Sequence, residues 1–273
     1  MQNYSNLFSL HGRTAIVTGG TGILGKHFCH ALASFGAQVA IVDRDVAVCE
    51  TVAREVTAAT GSAALGLACD VGDPQAVEAM VARVVAEYGA CEILVNNAAS
   101  KSDDLEAFFA NSENYSLETW REVMRVNLDG VFLVAKTVGK AMIAAGRGGS
   151  IIQTSSIYGI MGADQRIYEG SEYLGVRISN PVVYSASKAG VVGLTLHLAT
   201  AWAQHGIRVN TLVPGGVRSG QNDRFVANYS ARVPLGRMGT PEELVGAVVY
   251  LASGASSYVT GQCLAVDGGL SAW

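Results

Sequence analysis

Tyr184-Ser185-Ala186-Ser187-Lys188 opens an apolar stretch that reads as a helix. The i,i+4 spacing places the phenol of Tyr184 and the ammonium of Lys188 on one helix face. A free phenol, with a pKa of about 10, is a poor base at neutral pH. A cation held beside it favours the phenolate. The phenolate can take a proton from an alcohol, and in reverse the phenol can give one to a carbonyl oxygen. That is the proton half of an alcohol–carbonyl interconversion, so the chain needs a second site that supplies or accepts hydride.

Thr18-Gly19-Gly20-Thr21-Gly22-Ile23-Leu24-Gly25 meets that need. It follows an apolar run and opens a helical pattern. Glycines there let the backbone turn tightly and approach a pyrophosphate, whose charge sits at the helix N-terminus. Asp43 ends the next apolar run. A carboxylate there accepts hydrogen bonds from the adenosine ribose hydroxyls and repels a 2′-phosphate, which favours NAD over NADP. Arg44 beside it is the feature that would accommodate NADP.

These residues must be positioned by the surrounding elements. Strands are expected at 13–18, 38–42, 63–68, 92–95, 150–154, 208–213 and 263–266. Helices are expected at 22–35, 46–59, 73–88, 117–145 and 182–205, the fourth ended by Gly148-Gly149. Asp73-Pro74 and Thr240-Pro241-Glu242-Glu243 read as helix starts. Residues 100–116 read as loop with at most a short helix. Nearly all-apolar strands separated by helices indicate a parallel sheet covered on both faces. The expectation is α/β: a Rossmann-type, doubly wound, seven-stranded parallel sheet in one domain over residues 1–273. Two polar segments, 162–181 and 215–232, break the rhythm and read as an insert and a substrate loop at the strands' carboxyl ends.

Composition narrows the partners. The 273 residues are 49% hydrophobic and 15% charged, enough apolar material for a large core. A net charge of −4 without a basic cluster argues against nucleic acid and anionic membrane. No uninterrupted apolar stretch reads as a membrane span, and no signal segment is evident. Five scattered cysteines without a Cys-x-x-Cys pair read as reduced core residues of a cytoplasmic protein. The histidines lack metal-ligand spacing, so no metal is expected.

Taken together, the ordered motifs resemble the short-chain dehydrogenase/reductase family over essentially the whole chain. They are the 18–25 turn, Cys69-Asp70-Val71, Asn96-Asn97-Ala98-Ala99, Val126-Asn127-Leu128, Ser155-Ser156, Tyr184 to Lys188, Pro214-Gly215, Pro234-Leu235-Gly236-Arg237 and Val266-Asp267-Gly268-Gly269. The resemblance implies a catalytic set of Asn127, Ser156, Tyr184 and Lys188. Ser156 would orient the substrate oxygen and Tyr184 would be the acid/base. Lys188 would bind the nicotinamide ribose and lower the tyrosine pKa, and Asn127 would hold a water behind it. The cofactor would be held by Gly19, Thr21, Gly22, Ile23, Leu24, Asp43, Arg44, Asp70, Val71, Asn97, Ala98, Tyr184, Lys188, Pro214, Gly215, Val217 and Ser219. Asp70 and Val71 would meet the adenine, Asn97 the adjoining ribose region, and Val217 and Ser219 the carboxamide. In this family the helices at 117–145 and 182–205 pair between subunits, so a homotetramer or homodimer is expected, with Trp273 buried at an interface.

Two departures stand out. Ile23 occupies the place of the middle glycine of the family's Thr-Gly-x-x-x-Gly-x-Gly pattern. The gap between Ser156 and Tyr184 is also long, and its extra segment carries Arg166, Tyr168, Glu169, Tyr173 and Arg177. Such groups suit a sugar or polyol-like substrate, although the insert could instead face a neighbouring subunit. The leading reading is an NAD(H)-dependent oxidoreductase acting on a polar small molecule. The alternatives are an NADPH-dependent 3-ketoacyl-type or xenobiotic carbonyl reductase, and a nonenzymatic NAD(H)-sensing scaffold.

Overall fold

The computed structural model describes residues 4–273. Strand β1 (Thr14–Thr18) is buried along its full length. That burial on both faces explains why its sequence is an unbroken apolar and threonine run rather than an alternating one. It is the centre of a seven-stranded sheet with β2 (Gln38–Asp43), β3 (Ala64–Ala68), β4 (Ile93–Asn96), β5 (Gly149–Thr154), β8 (Ile207–Pro214) and β9 (Cys263–Val266). The order is β3-β2-β1-β4-β5-β8-β9, and every pairing is parallel. The order reverses between β1 and β4, where the chain opens a crevice at the strands' carboxyl ends.

One face of the sheet is covered by α1 (Ile23–Ser34), α2 (Val46–Thr60) and α9 (Glu242–Ala252), whose Phe28, Leu32, Val52 and Leu251 form one core. The other face is covered by α3 (Pro74–Tyr88), α6 (Val131–Ala145) and α7 (Val182–Trp202), with Val81, Val138 and Leu198 in a second core. Asp45 and Asp73 cap α2 and α3 by accepting two backbone N–H bonds each. The sequence suggested that Gly148-Gly149 ends α6. The cap is instead Gly146, in the left-handed region at φ 65°, and Gly149 already belongs to β5.

The helix expected over 117–145 is helical throughout but widens in its middle. It divides into α5 (Leu117–Met124), a π-helical turn over Arg125–Gly130, and α6. Three long-range tethers hold the widened turn. Arg125 pairs with Asp70 at 2.9 Å, Asn127 bonds the backbone of Ser100, and Asn96 Nδ2 donates to Val131 O at 2.8 Å. A π turn of this kind commonly sits at a functional site.

Residues 182–205 are long and apolar enough to cross a membrane by length and composition. They form α7 and a closing 3-10 turn, and α7 packs on β8 with Lys188, Val191 and Thr195 buried. This is a core helix.

The two segments expected as loops are partly ordered into elements. Residues 162–181 hold a 3-10 turn (Gln165–Tyr168) and a hairpin of β6 (Glu172–Tyr173) with β7 (Val176–Arg177). The hairpin turns at Leu174 and Gly175, both at positive φ. Residues 215–232 hold α8 (Asp223–Ser230). The two segments pack on each other: Tyr168 stacks near Phe225, with centroids 5.4 Å apart. Asn228 Nδ2 donates to Ile167 O and Glu169 O, and Arg232 pairs with Asp164 at 3.3 Å. A short α4 (Leu105–Phe108) lies in the 100–116 loop.

Candidate active site

The 18–25 turn packs against the loop after β4. Gly19 is at φ 63°, and a Cβ there would lie 2.9 Å from Ala98 Cα. A Cβ on Gly25 would lie 2.0 Å from Gly19 O, so α1 can approach the turn only with glycine at that position. Gly22 is different: its φ is −73°, and a Cβ would meet only Gly19 O at 3.3 Å. It is the N-cap of α1 and supplies no side-chain cap, which leaves the first N–H groups of α1 facing the crevice. Ile23 takes an ordinary first helical position and is exposed at the cleft.

The turn is held by side chains that also belong to the site. Asn97 Nδ2 donates to Thr18 O and Gly19 O at 3.3 and 3.4 Å. Asp43 accepts from Thr21 N (3.2 Å), Thr21 Oγ1 (2.6 Å) and Arg44 N (2.9 Å). The carboxylate therefore has a fixed position at the end of β2, and Thr21 serves to hold it. Asp70 accepts from Gly72 N and from Arg125, and these bonds keep its carboxyl below the ordinary aspartate value despite partial burial.

A cleft of about 890 Å³ runs from this turn to Tyr184. Gly19, Gly22, Ile23, Leu24, Asp43, Arg44, Asp70, Val71, Asn97, Ala98 and Gly215 line it, as do Ser156 and Tyr184. Volume, glycine contacts and the uncapped α1 N-terminus all fit a dinucleotide. Pro214 ends β8 behind Gly215, outside the lining. Val217 forms an isolated bridge with Gly239 and faces a separate hollow, and Ser219 Oγ is engaged by Gln221 Nε2.

At the far end, Ser156 follows β5 by two residues and caps the 3-10 turn Ile157–Gly159, its Oγ accepting from Tyr158 N at 3.3 Å. Tyr184, in the first turn of α7, is raised above the ordinary phenol value by burial, while the nearby Ser156 hydroxyl pulls it back down. Lys188 is buried, and burial lowers it to about 8. Its Nζ donates to Thr154 O at 3.0 Å and stands 5.8 Å from the Tyr184 ring centre. In the protein alone, burial therefore dominates the Tyr184 phenol. Ser155 Oγ donates to Lys188 O at 2.7 Å, a structural bond that fixes α7 against β5. Asn127 is fully buried in the π turn and does not reach the cleft.

Sequence reasoning found only Tyr168 in the wall that faces Tyr184. It consists of Tyr158, Tyr168, Phe225, Tyr229 and Met238, with Asn180 and Gln221 at its edge. Arg166, Glu169, Tyr173 and Arg177 do not line the cleft. Arg166 is exposed and paired with Asp164, and Tyr173 carries the Lys101 ammonium 3.9 Å from its ring centre. Of the polar insert residues singled out from sequence, only Tyr168 faces the site. The signal available in the sequence was the position of Tyr158, two residues past Ser156.

A family profile described as enoyl-(acyl carrier protein) reductase matches residues 21–271. The chain belongs to the short-chain dehydrogenase/reductase family. It is 36% identical to the 2-dehydro-3-deoxy-D-gluconate 5-dehydrogenase of Escherichia coli, over 96% of each chain. It is also 36% identical to the L-tagatose-forming galactitol 2-dehydrogenase of Cereibacter sphaeroides, over 99% of this chain and all of the other. Among solved structures, a gluconate 5-dehydrogenase from Burkholderia cenocepacia in complex with NADP and tartrate superposes with a TM-score of 0.87 at 34% identity, covering 99% of this chain and 100% of that one. The protein is therefore an oxidoreductase acting on CH–OH groups with a nicotinamide dinucleotide, on a single Rossmann-like domain.

Proposed function

We propose that this short-chain dehydrogenase interconverts a secondary alcohol and a carbonyl on a sugar or polyol derivative with NAD(H). The observation that carries the reading is the placing of Ser156 and Tyr184 together at one end of a cleft that continues to the glycine turn. Ser156 orients the substrate oxygen. Tyr184 takes the alcohol proton in oxidation and returns it in reduction. Lys188 keeps a buried positive charge behind Tyr184, with donors left over for the ribose hydroxyls once Thr154 O is satisfied. The 18–25 turn, Asp43, Arg44, Asp70, Val71, Asn97, Ala98 and Gly215 hold the dinucleotide. When bound, the nicotinamide supplies or accepts the hydride.

The polar edge of the cleft and the sugar and polyol relatives support the substrate class. Asp43 supports NAD, because its carboxylate repels a 2′-phosphate. Arg44 and the NADP in the Burkholderia structure favour NADP as the second reading. Residues 162–181 and 215–232 form the substrate-side wall. Apolar Phe132 of α6 and Leu196 of α7, together with Trp273, are exposed, which suits a homotetramer or homodimer. Four buried thiols raised by burial, none of them paired, suit a reducing cytoplasm.

The test is Tyr184→Phe assayed on sugars, sugar acids and polyols. Turnover should fall by about 10²–10⁴-fold with NADH affinity retained. Full turnover in the variant on any substrate of the wild type would refute the assignment.

A further inference from the structure

Tyr158 carries the one buried, unpartnered side-chain polar group that lines the cleft, among the described residues. The side chain is 8% exposed, and its hydroxyl forms no hydrogen bond. The hydroxyl of Tyr168 lies near it without the geometry of a formed bond. The other orphans, on Gln153, Thr154, Tyr115 and Ser171, lie outside the cleft lining. An unpaired buried hydroxyl costs on the order of 1–3 kcal/mol, a cost that a bound ligand can remove.

The place of that hydroxyl suggests the ligand. Tyr158 follows Ser156 by two residues, and its N–H is tied to Ser156 Oγ. Both side chains line the cleft beside Tyr184. Burial keeps Tyr158 protonated, and charge on Tyr184 would hold its proton more firmly still. Tyr158 is therefore a neutral donor in both directions of the reaction.

We propose that Tyr158 donates a hydrogen bond to a second substrate oxygen, on the carbon next to the one that reacts. The site then selects vicinal diols and α-hydroxy ketones over simple alcohols and ketones. This rests on Ser156 and Tyr184 binding the reacting oxygen. The selectivity follows from the cost of leaving the phenol unpaired: a site built to bond a hydroxyl rejects an analogue that lacks it.

The test is calorimetric binding of cis-1,2-cyclohexanediol and cyclohexanol to the enzyme saturated with reduced cofactor, where no turnover occurs. The diol should bind at least about tenfold more tightly to wild type. Tyr158→Phe should bring the two affinities within about threefold, with unchanged cofactor affinity and an undiminished melting temperature. Equal affinities in wild type, a diol preference that persists in Tyr158→Phe, or a lower melting temperature in that variant would each overturn the proposal. If the preference collapses as expected but the oxidised cofactor is reduced with no diol, Tyr158 keeps its role and the proposed reaction fails. If diols turn over with a preference unmoved by Tyr158→Phe, the reaction stands and the role of Tyr158 falls.

Discussion

Asn127 clamps the backbone of Ser100 from both sides: Ser100 N donates to Oδ1 at 2.7 Å, and Nδ2 donates to Ser100 O at 3.0 Å. Ser100 lines the cleft, while Asn127 sits in the π turn that packs against α7. The amide thus joins the loop after β4 to the helix that carries Tyr184 and Lys188. Asn127→Ala would remove the partners of the half-buried N–H and C=O of Ser100 and should destabilise the protein by about 1–3 kcal/mol. Asn127→Asp keeps the acceptor for Ser100 N but sets a buried carboxylate against Ser100 O, and should cost at least as much. Urea unfolding of both variants checks this order, and equal stability of Asn127→Ala and wild type would show that the clamp carries no load.

Lys188 should give the protein an unusual pH response. Its folded value is about 8, below the ordinary lysine value of 10.5. Between those limits the unfolded chain binds more protons, so this group makes stability rise with pH across roughly pH 8 to 10.5. Below pH 8 the charged form is present in both states and the penalty is constant. Lys188→Met should abolish the rise, worth on the order of 2–3 kcal/mol. Chemical denaturation of wild type and variant at pH 7.5, 8.5 and 9.5 measures it, and parallel profiles would contradict the burial argument.

The glycines of the turn are not equivalent. Gly25→Ala places a Cβ where Gly19 O stands, so the turn must open and cofactor affinity should fall at least about tenfold, with a stability loss of several kcal/mol. Gly22→Ala meets ordinary φ and one tight contact, and should stay within about 1 kcal/mol of wild type. NADH titration and thermal melting of the pair distinguish them.

Asp43→Ala removes the acceptor for Thr21 and Arg44 as well as the charge proposed to meet the cofactor ribose. The ratio of NADH to NADPH affinity should shift toward NADPH by about tenfold or more. Fluorescence titration with both cofactors reads the ratio. A wild-type preference for NADPH, unchanged in the variant, would remove Asp43 from cofactor selection.

The parallel strands were readable because burial on both faces leaves an unbroken apolar run, as Thr14–Thr18 shows. The cap at Asp73-Pro74 was readable because it acts on its own neighbours. The π turn was not. A single widened turn barely alters the apolar period, and its tethers reach Asp70, Asn96 and Ser100 from far along the chain. The insert misled for a related reason. Its most polar residue, Arg166, finds Asp164 two positions away and turns outward, whereas Ile167 and Tyr168 turn in toward α8.

By itself the sequence determined the reaction chemistry and the sheet. Residue type and local spacing suffice for a Tyr–Lys helix face, a glycine turn and buried parallel strands. Only the tertiary structure decided what faces Tyr184. Tyr158, Tyr168, Phe225 and Tyr229 come from three separate segments, and their meeting depends on how those segments pack rather than on any spacing along the chain.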